Sequence, residues 1–138
     1  MKKFGIFFFL LVFLIGGCAL MPQKATMIPT DLSLLKGTWQ GSRDITFDRK
    51  RHIDFTEMEI FNDSIPLKGK ISIAFLEGTD TRRHSFENGV IDAGGSLSIQ
   101  LTEINKITLS MYREGEKIKL DGHYTHRDNQ GRLTLYKK

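Results

Sequence analysis

The runs Leu97-Ser98-Ile99-Gln100-Leu101, Ile107-Thr108-Leu109-Ser110-Met111, Ile118-Lys119-Leu120-Asp121-Gly122-His123-Tyr124 and Leu133-Thr134-Leu135 decide the fold of this chain. In each, apolar and polar residues alternate. A period of two puts the apolar side chains on one face of a strand and the polar ones on the other. Short polar turns separate the later runs: Glu114-Gly115, then Asp128-Asn129-Gln130-Gly131. Four such runs in succession predict an antiparallel meander.

The same pattern extends toward the N-terminus. Trp39, Gly41, Arg43, Ile45 and Phe47 share one parity. Leu67, Gly69, Ile71, Ile73 and Phe75 share another face. Between them Ile53 and Phe55 pair in parity, and the apolar set then moves to Met58 and Ile60, which predicts a bulge near Thr56-Glu57. A polar stretch, Thr79–Phe86, leads to Asn88-Gly89, a tight-turn signal. Val90-Ile91 is brief, and Ala93-Gly94-Gly95 breaks it. Asp31–Gly37 predicts a single helical turn, capped by Thr30 or Asp31 and stopped by Gly37. The fold class expected is all-β. About eight strands form an antiparallel meander, closed or half-open as a small barrel, because closure removes exposed edges. A two-sheet sandwich fits the spacing equally well.

Ahead of this domain stand Met1-Lys2-Lys3, an apolar run Phe4–Ile15, and Ile15-Gly16-Gly17-Cys18. A basic start, a short apolar core and small residues form the layout of a secretory signal peptide. The strictly apolar run falls short of the roughly 20 residues that span a bilayer, although an uncleaved anchor extended to Met21 is the alternative. Ile15-Gly16-Gly17-Cys18 resembles the lipobox of bacterial lipoproteins. That resemblance implies cleavage before Cys18, a diacylglycerol on its thiol and acylation of the new N-terminus. The expected organisation is a signal peptide over 1–17, a lipidated Cys18 with a flexible tether over 18–30, and a barrel domain over 31–138. A single cysteine cannot form an internal disulfide, and lipidation accounts for it. Pro22 and Pro29 in the tether fit an unstructured linker. The expected location is the bacterial cell envelope. In a Gram-negative cell, Ala19 in place of Asp after the lipidated cysteine implies the outer membrane, facing the periplasm.

Leu34-Leu35-Lys36-Gly37-Thr38-Trp39-Gln40-Gly41 resembles the opening of lipocalin-type (calycin) barrels, with a helical turn followed by Gly-x-Trp. Leu120-Asp121-Gly122-His123-Tyr124 and Gly131-Arg132-Leu133-Thr134-Leu135 look like the closing hairpin of small bacterial lipocalin-like lipoproteins. The resemblance implies that Trp39 plugs the closed end and that an arginine of the last strand, Arg132, lies over it. The chain is short, and it lacks the disulfide common in larger lipocalins, so a spacious cavity is not expected. One tryptophan argues against an avidin-like biotin site. The cysteine pair of lysozyme-inhibitor lipoproteins is missing.

The formal charge of +4 includes Lys2 and Lys3, so the mature domain is only mildly basic and nucleic acid is not an expected partner. The clusters Arg49-Lys50-Arg51-His52 and Arg82-Arg83-His84 read first as charged turns or strand ends, and second as anion contacts. No nucleophile motif or phosphate-cradling glycine loop is present, and no enzyme activity is expected. His52 and Asp54 could share a strand face, but His84, His123 and His126 supply no convincing third ligand, so neither metal nor cofactor is expected. Glu57 with Glu59, and Glu114 with Glu116, read as solvated pairs. Arg43 stands out because it shares the presumptive inner face, and a buried arginine needs a partner. The candidate ligand-binding set is Arg43, Trp39, Phe75 and Tyr124, with Arg43 on the head group of a small hydrophobic or amphipathic ligand. The competing expectation pairs Arg43 with an internal carboxylate such as Glu57. Two function classes follow: a membrane-anchored, ligand-binding barrel, or a packed-core barrel that serves as an envelope interaction module.

Overall fold

A computed structural model describes residues 23–25, 32–75 and 80–138. The segment expected to be a signal peptide, 1–17, and the expected lipidation site Cys18 lie outside the described residues. The strands are β1 (Gln23–Ala25), β2 (Gly37–Phe47), β3 (Lys50–Ile60), β4 (Leu67–Ala74), β5 (Thr81–Ile91), β6 (Leu97–Thr102), β7 (Asn105–Glu114), β8 (Lys117–His126) and β9 (Asn129–Lys137). A single helical turn, α1 (Leu32–Leu35), precedes β2.

The alternating runs of the last third become β6, β7, β8 and β9, each paired antiparallel with the next. The same chain-order pairing runs back through β5, β4, β3 and β2. β9 then pairs with β2, with Gly41 opposite Leu135 and Asp44 opposite Arg132. The sheet therefore closes on itself as an eight-stranded antiparallel barrel, with β1 as an additional strand. β1 lies within the segment expected to be tether, and it pairs with the far end of β7: Gln23 faces Arg113 and Ala25 faces Met111.

Closure buries the apolar parity. Ile71, Leu97, Ile99, Ile107, Leu109, Leu120, Leu133 and Leu135 are wholly inaccessible to solvent. A barrel of eight strands is just wide enough for its own side chains to fill it. At several inner glycines, Gly41 and Gly122 among them, strands come too close for a side chain. A Cβ on Gly41 would meet the Thr134 carbonyl, and one on Gly122 would meet the Thr108 carbonyl.

α1 and Trp39 plug one end. Trp39 is fully buried, and its Nε1 donates to the Leu35 carbonyl at 2.8 Å. The cation above its ring is Lys137, with Nζ 5.7 Å from the ring centre. Arg132, expected in that role, points outward and pairs with Asp121 at 2.6 Å. Arg132 lies opposite Asp44 and His123, well along β9 from the plug, whereas Lys137 lies opposite Trp39. We call this the closed end, and the end carrying the β2–β3, β4–β5, β6–β7 and β8–β9 turns the mouth.

Two local expectations are corrected. β3 pairs with β2 and β4 without a register shift, so no bulge occurs at Thr56-Glu57. Asp54 and Thr56 occupy the inner face with Met58 and Ile60, while Ile53 and Phe55 point outward. Asn88-Gly89 is not a turn: β5 continues through it with a bulge at Glu87-Asn88, since Leu67 pairs with Gly89 but Gly69 with Phe86. The Asn88 side chain acts as a substitute peptide group. Its Nδ2 donates to the Gln100 carbonyl at 2.7 Å, and the Gln100 N–H donates to its Oδ1 at 3.1 Å. These bonds extend the two-pair β5–β6 ladder, Val90 with Ser98 and Ile91 with Leu97.

Thr56 carries one buried defect. Its hydroxyl is the one buried side-chain polar atom without a partner among the described residues. An unsatisfied buried hydroxyl costs about 1–3 kcal/mol, and an apolar group of the same shape removes that cost. Thr56→Val is therefore expected to raise stability by about 1 kcal/mol in urea unfolding. A loss of 1 kcal/mol or so would instead show that the hydroxyl is satisfied.

Candidate functional site

The mouth is where the packed interior gives way to a recess of about 230 Å³. The inner faces of four strands build it. β2 contributes Arg43, Ile45 and Phe47, β3 contributes His52, β5 contributes Arg82, and β8 contributes Tyr124 and His126. Phe75, directly after β4, completes the lining. Strand pairing explains the set. Ile45 faces His52, and Ile73 faces Arg82, so these partners share the interior face with buried isoleucines.

Arg43 forms the floor. It is 6% exposed, and its Nε and Nη2 both donate to Asp54 Oδ2, at 3.2 and 2.5 Å. Asp54 sits directly across the β2–β3 ladder from Arg43 and is itself 2% exposed. The internal carboxylate is thus Asp54, not Glu57, which faces outward and accepts from Gln40 Nε2 at 2.6 Å. The guanidinium of Arg43 also lies 4.8 Å from the Tyr124 ring centre and 5.5 Å from that of Phe75. Contacts of this kind add to its stabilisation in a site with little water. Arg43 therefore already has its counter-charge.

Arg82 differs. Its guanidinium lies 5.2 Å from the Phe75 ring centre, and it has no carboxylate within ion-pair distance among the described residues. Arg82, on the exposed part of β5, leaves a positive charge at the lip of an apolar cup. The signal for it in the sequence was the shared parity of Arg82, His84 and Phe86, which a reading of the stretch as merely polar overlooks.

The field of these cations is felt by their neighbours. Burial pushes the Tyr124 hydroxyl up from its ordinary value of 10.0, while the charge of Arg43 opposes that shift. Burial holds the His126 imidazole below its ordinary 6.5, and Arg127, Arg82 and Arg43 push it the same way. Its Nδ1 lies 2.6 Å from Asn105 Oδ1, so the neutral ring donates there. An unfolded chain takes up this proton before the folded one does. Stability is therefore expected to fall as the pH drops through 6.5 toward the lowered folded value, and to be flat in this group above it. An imidazole titration followed by NMR should find His126 below 6.5, and Arg82→Ala should raise it. An unshifted His126 would show that its ring is not held away from water, and one unmoved by Arg82→Ala would show that the charge of Arg82 does not reach it.

Of the four residues expected to form a site, Arg43, Phe75 and Tyr124 meet at the mouth. Trp39 lies at the closed end, away from them. His52 and Asp54 share the inner face as the spacing suggested, yet Asp54 is committed to Arg43. Among the described residues no three His, Cys, Asp or Glu side chains gather as metal ligands would. A wider depression of about 340 Å³ lies at the closed end, beside the start of β8 and the end of β9, lined by Glu116, Lys117, Ile118, Tyr136 and Lys137. It has no buried polar group to orient a ligand, so the mouth is the better candidate despite its smaller volume. Comparison of the chain with protein-family models, curated proteins and solved structures finds no match in any of the three. The fold and its recess define the class: a closed eight-stranded barrel with a basic, aromatic mouth.

Proposed function

We propose that this is a lipid-anchored envelope lipoprotein whose barrel binds a small amphipathic anion at its mouth. The observation that carries the reading is Arg82, a cation without a carboxylate partner among the described residues, beside the apolar Phe75 and Ile45. A few polar groups in an apolar recess is the usual composition of a small-molecule site. The recess, at about 230 Å³, is smaller than the roughly 300–1,000 Å³ of ordinary ligand pockets. It suits a head group with a short apolar stub, not a buried long chain. Arg82 replaces Arg43 as the proposed anion contact, and Arg43 with Asp54 becomes the polar floor.

Octanoate and octanol separate charge from hydrophobicity, and titration of each into the isotope-labelled protein tests the reading. Octanoate is expected to shift the amides of Arg82, Tyr124 and His126 and to bind at least about tenfold more weakly to Arg82→Ala, a change near 1.4 kcal/mol. Equal binding of octanol, or shifts confined to the outer wall, would contradict it.

The second reading is a packed barrel that works through its outer surface. The solid interior below the mouth, with Ile71, Leu97 and Leu120 wholly buried, favours it.

A further inference from the structure

We infer that the closed end is a bilayer-facing surface, so the mouth opens away from the membrane that holds the protein. This rests on the lipid-anchored reading above and adds an orientation to it. β7 runs from the mouth, where Asn105 pairs with His126, to the closed end, where Glu114 pairs with Lys117. β1 is antiparallel to it, with Gln23 opposite Arg113. β1 therefore points from the closed end toward the mouth, with Gln23 as its residue nearest the closed end.

The remaining length sets the reach. Cys18 precedes Gln23 by five residues, which span at most about 18 Å when fully extended. From Arg113 to Asn105, β7 climbs roughly 20 Å along the barrel axis, at ~3.4 Å per residue and a tilt near 40°. A tether folded straight back along the wall would still stop short of the rim.

The surface at that end has the matching chemistry. Phe61 and Ile65 in the β3–β4 loop are 49% and 48% exposed. The loop is fixed by Asn62, whose Nδ2 donates to the Ser64 and Pro66 carbonyls at 2.8 and 3.1 Å, and whose Oδ1 accepts from the Lys68 N–H at 2.7 Å. The apolar pair is thus presented on a braced loop. Lys36, Lys68 and Lys138 are exposed around it and have no ion-pair partner among the described residues. Asp63, Asp92 and Glu116 lie exposed at the same end, so attraction to anionic lipid is partial, and burial of Phe61 and Ile65 supplies the rest. A ligand for the mouth then arrives from the aqueous side, not from the protein's own leaflet.

The test uses the full-length lipoprotein in phosphatidylethanolamine–phosphatidylglycerol vesicles. Cys18 is consumed by its lipid, so Phe61→Cys or Ile104→Cys offers a single free thiol for a fluorophore. Ile104 lies in the β6–β7 turn at the mouth and is 42% exposed. On transfer from detergent to vesicles, iodide quenching at position 61 is expected to fall at least about threefold, with new quenching by brominated lipid, while position 104 is unchanged. Iodide access that is equal at both positions, or lost at 104 and kept at 61, would overturn the orientation. The intact mass of the same sample reports the anchor separately: a chain without acyl groups on Cys18 would overturn the anchored reading, and with it this one.

Discussion

Asp54→Ala is expected to destabilise the barrel by about 3–5 kcal/mol, because it leaves the Arg43 guanidinium buried without its counter-charge. The geometry makes this one of the largest single effects in the molecule. Both partners are nearly sealed from solvent, with side-chain exposures of 8% and 3%, and both Arg43 contacts converge on Asp54 Oδ2. Removal of both charges together should behave differently. Replacing a buried ion pair by apolar residues of similar size is often neutral or stabilising. The double variant Arg43→Met, Asp54→Leu should therefore recover most of the loss in urea unfolding. The comparison also separates two roles for Arg43. A floor held by its partner predicts strong coupling between the sites. An arginine kept for a ligand predicts that Arg43→Met alone costs little stability, and that outcome would contradict the account.

Trp39→Ala is the second large effect, with an expected cost of about 3–5 kcal/mol. The indole is fully buried, and its Nε1 bond to the Leu35 carbonyl is the only hydrogen bond from a side chain to α1 apart from that of Lys137 to Leu34 among the described residues. Its loss opens the closed end and frees α1. Trp39→Phe keeps the ring but drops the donor, so it should cost less, mainly the unpaired Leu35 carbonyl. Ligand binding at the mouth should survive in Trp39→Phe, since the mouth lies at the opposite end of β2. Weakened octanoate binding in a folded Trp39→Phe would instead tie the tryptophan to the site.

The legible parts of this fold are those where local pattern and tertiary environment agree. From Leu97 to Leu135 every apolar residue at the alternating positions faces the core, wholly or in part, and the Glu114-Gly115 turn falls where expected, with Gly115 at φ 63°. β3 was misread because its inner face is polar where it meets Arg43. A carboxylate at position 54 makes sense only once the cross-strand neighbour is known, and the outward Ile53 and Phe55 then mimic a core face. Asn88-Gly89 misled for a related reason. The amide that usually favours a turn here replaces backbone bonds to Gln100, and a glycine is needed where β5 runs close to Leu67.

The site was half legible for the same reason. Parity placed Arg43 and Tyr124 inside and brought Phe75 near them. It could not show that Arg43 is already neutralised, because that depends on register between β2 and β3. Nor could it single out Arg82, whose place at the mouth follows from the start of β5 lying beside Phe75. Trp39 shares parity with Arg43 but sits four residues nearer the plug, and along a strand that distance separates the two ends of a small barrel.

Native mass spectrometry of the full-length protein, extracted from its own host in mild detergent, tests the central claim most directly. The account predicts a small extra mass that leaves on denaturation and is missing from the Arg82→Ala protein, while both forms carry the same acyl mass on Cys18. A bare protein mass from host material, or an adduct retained in full by Arg82→Ala, would contradict an anion site at the mouth.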